Sequence, residues 1–232
     1  MKKFLIAHVL GALVLLATTV QAALVVPAGL NTGDPYHVIF VSSTIRDATS
    51  SNIADYDTHV QSAANAAGIG ASLSVSWLAL GSTLTVDVFD HLEPLFSNTN
   101  TVPIYNQNGD LVASSLADMF DGSGTLSAPI QYDESGNSLT TVVFTGSTRN
   151  GVVSAWPLGG PGGVGTPFAM FGNSNVQFSQ TWVANAAGNG TDSHSLYAVS
   201  QELTAGVVPV PAAVWLFGSA LGLLGWMRRK TA

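Results

Sequence analysis

Val102-Pro103-Ile104-Tyr105-Asn106-Gln107-Asn108-Gly109-Asp110-Leu111-Val112-Ala113 is the stretch on which the fold reading turns. Two short runs of strand-forming residues flank Asn, Gly and Asp, the residue types that accept the tight dihedrals of a turn, so the stretch predicts a hairpin. Ser115 and Asp118 follow three apart, a capping-box-like start for a short helix through Met119 and Phe120, which Gly122 and Gly124 end. Ile130 and Tyr132, turn residues 133–137, the run 140–145 and a second turn at Arg149, Asn150 and Gly151 continue the pattern. Hairpin after hairpin predicts mainly antiparallel sheet.

Working back toward the N-terminus, residues 83–88 and 72–79 alternate apolar and polar side chains, and both are read as strands at period two. Before them, Ile53, Tyr56, Val60, Ala63 and Ala67 recur at steps of three and four. They predict an amphipathic helix with Asn52 as N-cap and Gly68 as stop. Residues 36–41 are a β-rich run and read as a buried strand, in which His37 is an edge or core side chain rather than a ligand. Asp55 and His59, one helical turn apart, read as a solvated face rather than a metal pair. Asp90, His91 and Glu93 crowd into a turn before Pro94 without the number or spacing of a known metal loop.

Beyond the second turn, Trp156 leads into Gly159, Gly160, Gly162, Gly163 and Gly165, read as a mobile loop. A phosphate cradle is rejected there, because no lysine completes it and no Ser or Thr opens a following helix. Residues 176–184 and 196–203 read as closing strands. Trp156 and Phe168, at the two ends of the glycine-rich loop, are the expected ligand contacts, since exposed aromatic rings on a loop suit stacking on sugar.

The two ends of the chain are of another kind. Lys2 and Lys3 precede an apolar run over 4–17, and Val20, Gln21 and Ala22 offer a peptidase site, so residues 1–22 read as a secretory signal peptide cut between Ala22 and Ala23. Residues 23–35 read as a linker, 36–204 as the exported domain and 205–211 as a proline-containing linker. Residues 212–227 carry no charge and predict a helix of roughly 24 Å against the roughly 30 Å hydrocarbon core of a bilayer. Arg228, Arg229 and Lys230 open the basic tail 228–232, expected on the cytoplasmic side.

Removing both ends leaves two arginines against fourteen carboxylates, a formal charge of −12, with no lysine. Such a surface repels a phosphate backbone and excludes nucleic acid as a partner. The chain has no cysteine, which excludes disulfides, thiol catalysis and cysteine metal sites.

Two resemblances follow from these residues. Val208-Pro209-Val210-Pro211-Ala212, the apolar run and the terminal Arg228, Arg229 and Lys230 resemble the PEP-CTERM sorting signal of bacterial exosortase substrates, in its Val-Pro-Leu-Pro-Ala variety with Val210 in place of Leu. The resemblance implies exosortase and signal peptidase as partners, membrane insertion through the C-terminal helix, and a final place at the cell surface or in an exopolysaccharide layer. Across roughly 38–204, the order helix, Trp77 strand, Pro103-Ile104-Tyr105-Asn106, Met119-Phe120-Asp121-Gly122, Phe144-Thr145-Gly146-Ser147, Thr181-Trp182 and Leu196-Tyr197 resembles the endostatin-type branch of the C-type lectin-like fold. That implies an α+β domain rich in short antiparallel strands with one main amphipathic helix. The family's paired cysteines are absent, Phe144 replaces a Trp, and no zinc-binding histidines or basic heparin face can be placed. No cofactor is expected, and calcium has no motif to support it.

The function expected is a non-enzymatic, exported, surface- or matrix-associated protein whose lectin-like domain contacts extracellular polymer. A structural spacer without ligand is the first alternative. A secreted hydrolase is the second, resting on Asp192, Ser193, His194 and Ser195 or on the carboxylate pairs Asp118 with Asp121 and Asp133 with Glu134; Gly-x-Ser-x-Gly and His-Glu-x-x-His do not occur.

Overall fold

The computed structural model describes residues 24–96, 101–161 and 166–206. The signal peptide with its Ala22–Ala23 junction, the sorting motif Val208 to Ala212, the apolar helix and the basic tail lie outside the described residues. Among those described, no helix is long and apolar enough to cross a membrane.

The fold is mixed α+β. Its strands are β1 (Pro35–Val41), β2 (Trp77–Ala79), β3 (Ile104–Asn106), β4 (Leu111–Ala113), β5 (Val142–Phe144), β6 (Phe168–Asn173), β7 (Ala186–Asn189), β8 (Tyr197–Ser200) and β9 (Leu203–Thr204). Its helices are α1 (Ile53–Ala67), α2 (Val88–Leu92) and α3 (Leu116–Met119). The main sheet runs β2-β8-β1-β3-β4, with β9 pairing the start of β1; β5-β6-β7 form a second, smaller sheet. Among the ladders between these strands, β1 with β3 is parallel, with Val38 facing Tyr105, and the others are antiparallel.

β1 is buried on both faces, which is why it reads as a continuous apolar run rather than an alternation. Its even residues Tyr36, Val38 and Phe40 enter one core with Tyr56, Val60 and Ala64 of α1 and with Trp77. Its odd residues Ile39 and Val41 enter the other, with Leu92 of α2, Leu116 and Met119 of α3, and Trp182. Helix α1 has the predicted bounds because both ends are chemically marked. Asn52 accepts the Ala54 N–H at its start, and Gly68 at its end takes φ +82°, which a Cβ would oppose. Two side chains of α1 also close the outer edge of β2: Gln61 Oε1 accepts from Trp77 N and Asp57 Oδ1 from Ala79 N. That edge, having lost its free N–H groups, is poor at pairing with a further strand.

Three expected strands are replaced. In 72–79 only Trp77–Ala79 is strand; Ala71–Leu73 is a 3-10 turn and Ser74 sits at φ +58°. In 83–88 the alternation is broken: Leu84 is exposed, and α2 begins at Val88, whose N–H bonds to Ser82 Oγ at 2.9 Å. In 176–184, Ser179 takes φ +55° and Ser179–Trp182 is a 3-10 turn. The Trp182 indole is thereby carried into the core, where Nε1 donates to Gly124 O at 3.0 Å. The helix expected to run through Phe120 ends at Met119.

Candidate functional site

Trp156 stands on an arc held down by hydrogen bonds at short intervals. Gly151, at φ +75°, closes the turn that feeds the arc. The Trp156 N–H is capped by Ser154 Oγ at 3.1 Å and its carbonyl accepts from Met170 N in β6 at 2.8 Å. Leu158 N bonds to Ser82 O and Gly159 N to Ala48 O, both at 2.9 Å. Gly159 lies so close to Ser50 that a Cβ would come within 2.1 Å of its carbonyl oxygen. The expected mobility therefore does not apply to Gly159 and Gly160; residues 162–165 lie outside the described residues.

On this fixed backbone the Trp156 side chain is 41 % exposed, whereas Trp77 and Trp182 are buried. Phe168 is half-buried at the first position of β6, paired with Asn189, two residues before the Met170 that anchors Trp156. The structure thus brings the two expected contact residues to the same end of the smaller sheet, with the tryptophan presented and the phenylalanine partly withdrawn. Sequence reading missed the exposure of six further apolar residues among those described; Phe178, in the expected strand 176–184, is 68 % exposed, and two others, Leu84 and Val152, flank the Trp156 arc. Leu84 follows Thr83, which is bridged to Leu158, and Val152 precedes Val153, whose N–H bonds to Asp87 Oδ1. Their signal was hidden because Leu84 fits the alternation of a strand and Val152 the flank of a turn.

The acid–base candidates are taken up by the fold. His37 is fully buried; its Nδ1 donates to the Ser200 carbonyl at 2.9 Å, so Nε2 carries a lone pair, without a partner among the described residues, beside the Phe96 ring. Burial pushes its pKa below the usual histidine value, against the raising effect of Ser200 and Glu202. Asp55 accepts from Ser50 Oγ at 2.6 Å and His59 pairs with Thr44 Oγ1 at 3.0 Å, so the helix-turn pair does not form. His59 is also shifted down, chiefly by burial. His91 turns away from Asp90 and Glu93 to Asp57. Tyr56 is pushed up to about 12 by burial, although the Arg46 guanidinium stacked 4.1 Å from its ring acts the other way.

Neither hydrolase constellation assembles among the described residues. Ser195 is buried, the His194 ring packs edge-on against Phe144 at 4.7 Å, and no hydrogen bond joins Asp192 to His194. Asp133 accepts the N–H groups of Ser135 and Asn137 in its own turn, while the Glu134 carboxylate is held by Ser43 through both its N–H and its hydroxyl. Asp118 accepts from Ser114, and Asp121 from Ser123, whose hydrogen bonds lower its pKa. No group of three or more His, Asp or Glu side chains suited to a metal ion occurs among the described residues. No protein-family model matches the chain, and no curated protein matches it in sequence.

Proposed function

We propose that this chain is an exported, non-enzymatic protein of the cell surface or extracellular matrix, sorted by exosortase, whose lectin-like domain contacts extracellular polysaccharide through Trp156. The observation that carries the polymer reading is the exposed indole on a backbone fixed by Ser154 and Met170. A rigid aromatic face stacks on the apolar face of a sugar ring with little ordering cost, and side chains of this kind anchor recognition surfaces. Export is supported by the two apolar termini and by the Val208-Pro209-Val210-Pro211-Ala212 motif with its basic end. The lectin-like assignment is supported by the α+β class, by α1 and by the β3–β4 hairpin in the expected order. The 3-10 turn at Thr181 and Trp182 departs from the strand that the family has there.

Retention of the full chain on immobilised neutral and acidic polysaccharides, with Trp156→Ala beside it, tests this reading. The substitution is expected to weaken retention by up to about tenfold and, because more than half of the residue is covered, to lower the free energy of unfolding by about 1–2 kcal/mol, so circular dichroism confirms that both chains are folded under the assay conditions. Absence of retention on every polymer favours a spacer without ligand.

A further inference from the structure

At the N-terminal end of β1 lies an open groove with a volume of about 410 Å³, lined by Leu30, Asp34, Pro35, Val102, Pro103 and Glu202, with Thr101 on its rim. Four of these are apolar and form its wall. The Asp34 carboxylate accepts from the N–H and the amide of Asn31. The last described residues run directly beside this groove. Thr204 pairs with Pro35, Ala205 N donates to Asp34 O at 2.9 Å, and Gly33 N donates to Ala205 O at 2.9 Å. Gly206 then turns at φ +83°, so close to Thr32 that a Cβ would lie 2.9 Å from its side chain.

The chain continues Val207-Val208-Pro209-Val210-Pro211, with no charge and no polar side chain. Pro209 and Pro211 fix their own φ and disfavour helix at the residues before them, so these five residues favour an extended polyproline-like form of about 3.1 Å per residue, roughly 16 Å in all. Such a segment loses little entropy on docking, and prolines and valines match a wall of Leu, Pro and Val.

We propose that this groove is the dock for the chain's own residues 207–211. Docking would fix the direction in which the chain leaves the domain and cover the residues just ahead of Ala212. The proposal does not depend on export, since the segment would dock whatever its destination.

The absence of cysteine gives a clean test in the full chain solubilised in detergent. Thr101→Cys with Val208→Cys is compared with the same pair in a chain that also carries Val207→Ser, Pro209→Gly, Val210→Ser and Pro211→Gly, which keeps the tether from Gly206 and removes the apolar, extended character of the segment. Under mild oxidation the pair in the parent segment is expected to close an intrachain disulfide about tenfold faster than the same pair in the altered segment, because the tether is equal in both and docking alone raises the effective concentration at the groove. Pro35→Asp, on an exposed residue of the groove, is expected to slow that closure by a comparable factor without moving the urea midpoint; should the midpoint fall, the comparison of the two segments decides alone. Equal rates in the two segments, or a rate indifferent to Pro35→Asp at unchanged midpoint, would overturn the proposal. So would a disulfide between two chains, which places a second copy in the groove, or faster closure of Thr101→Cys with Lys230→Cys, which places the basic tail there.

Discussion

Asp57 Oδ1 lies 2.9 Å from His91 Nε2 and 2.8 Å from the backbone nitrogen of Ala79. One carboxylate oxygen on α1 therefore holds both the edge of β2 and helix α2, two segments that make few regular backbone bonds of their own.

Asp57→Ala is expected to destabilise the domain by about 1–3 kcal/mol, because it leaves a largely buried N–H and a largely buried imidazole without their acceptor. Asp57→Asn keeps an oxygen at that place and should lose clearly less. Urea unfolding of both variants measures the difference; equal losses would mean that the carboxylate matters for its charge rather than for its geometry.

His37 makes stability depend on pH in a fixed direction. Its folded pKa lies below the ordinary value of 6.5, so below pH 6.5 the unfolded chain takes up a proton that the native state still refuses. The contribution is complete above that pH and is lost as the pH falls toward and through the folded value. His59, shifted the same way, adds a smaller contribution because it is only partly buried. Unfolding midpoints measured downward from pH 7 should therefore decline, and His37→Asn, which keeps a donor for the Ser200 carbonyl, should flatten the decline.

Gly172 in β6 is required by a close crossing of two backbones. A Cβ there would lie 1.9 Å from the Trp182 carbonyl oxygen, a backbone atom that the Tyr197 hydroxyl also holds, at 3.1 Å. Gly172→Ala is expected to cost about 1–3 kcal/mol through forced displacement of β6 or of the Trp182 turn. Gly136→Ala, at an exposed turn with open space around it but φ +81°, should cost less, since only backbone strain opposes it. Thermal midpoints of the two variants give the comparison.

Where local chemistry marks both ends of an element, sequence and structure agree. Asn52 and Gly68 bound α1. Asn106, whose side chain accepts the N–H groups of Asn108 and Asp110, makes the β3–β4 turn, and Asp133 makes the next turn in the same way. The candidate contact was legible only in part. Trp156 could be singled out as an aromatic beside glycines, but its exposure depends on which partners cover it, and the other tryptophans near turns, Trp77 and Trp182, are buried.

By itself the sequence determined the class of the domain, its buried central strand, its main helix and its turns, because capping residues, turn residues and long apolar periods act within a few residues of where they stand. Tertiary structure decided the fate of the short apolar alternations. Residues 83–88 and 176–184 have the pattern of strands, yet Val88 is claimed by Ser82 Oγ, Asp87 by Val153 across 66 residues, and the Trp182 indole by Gly124 across 58. A run this short gains too little from its own backbone to resist such partners, so its conformation belongs to whichever neighbours the rest of the chain brings to it.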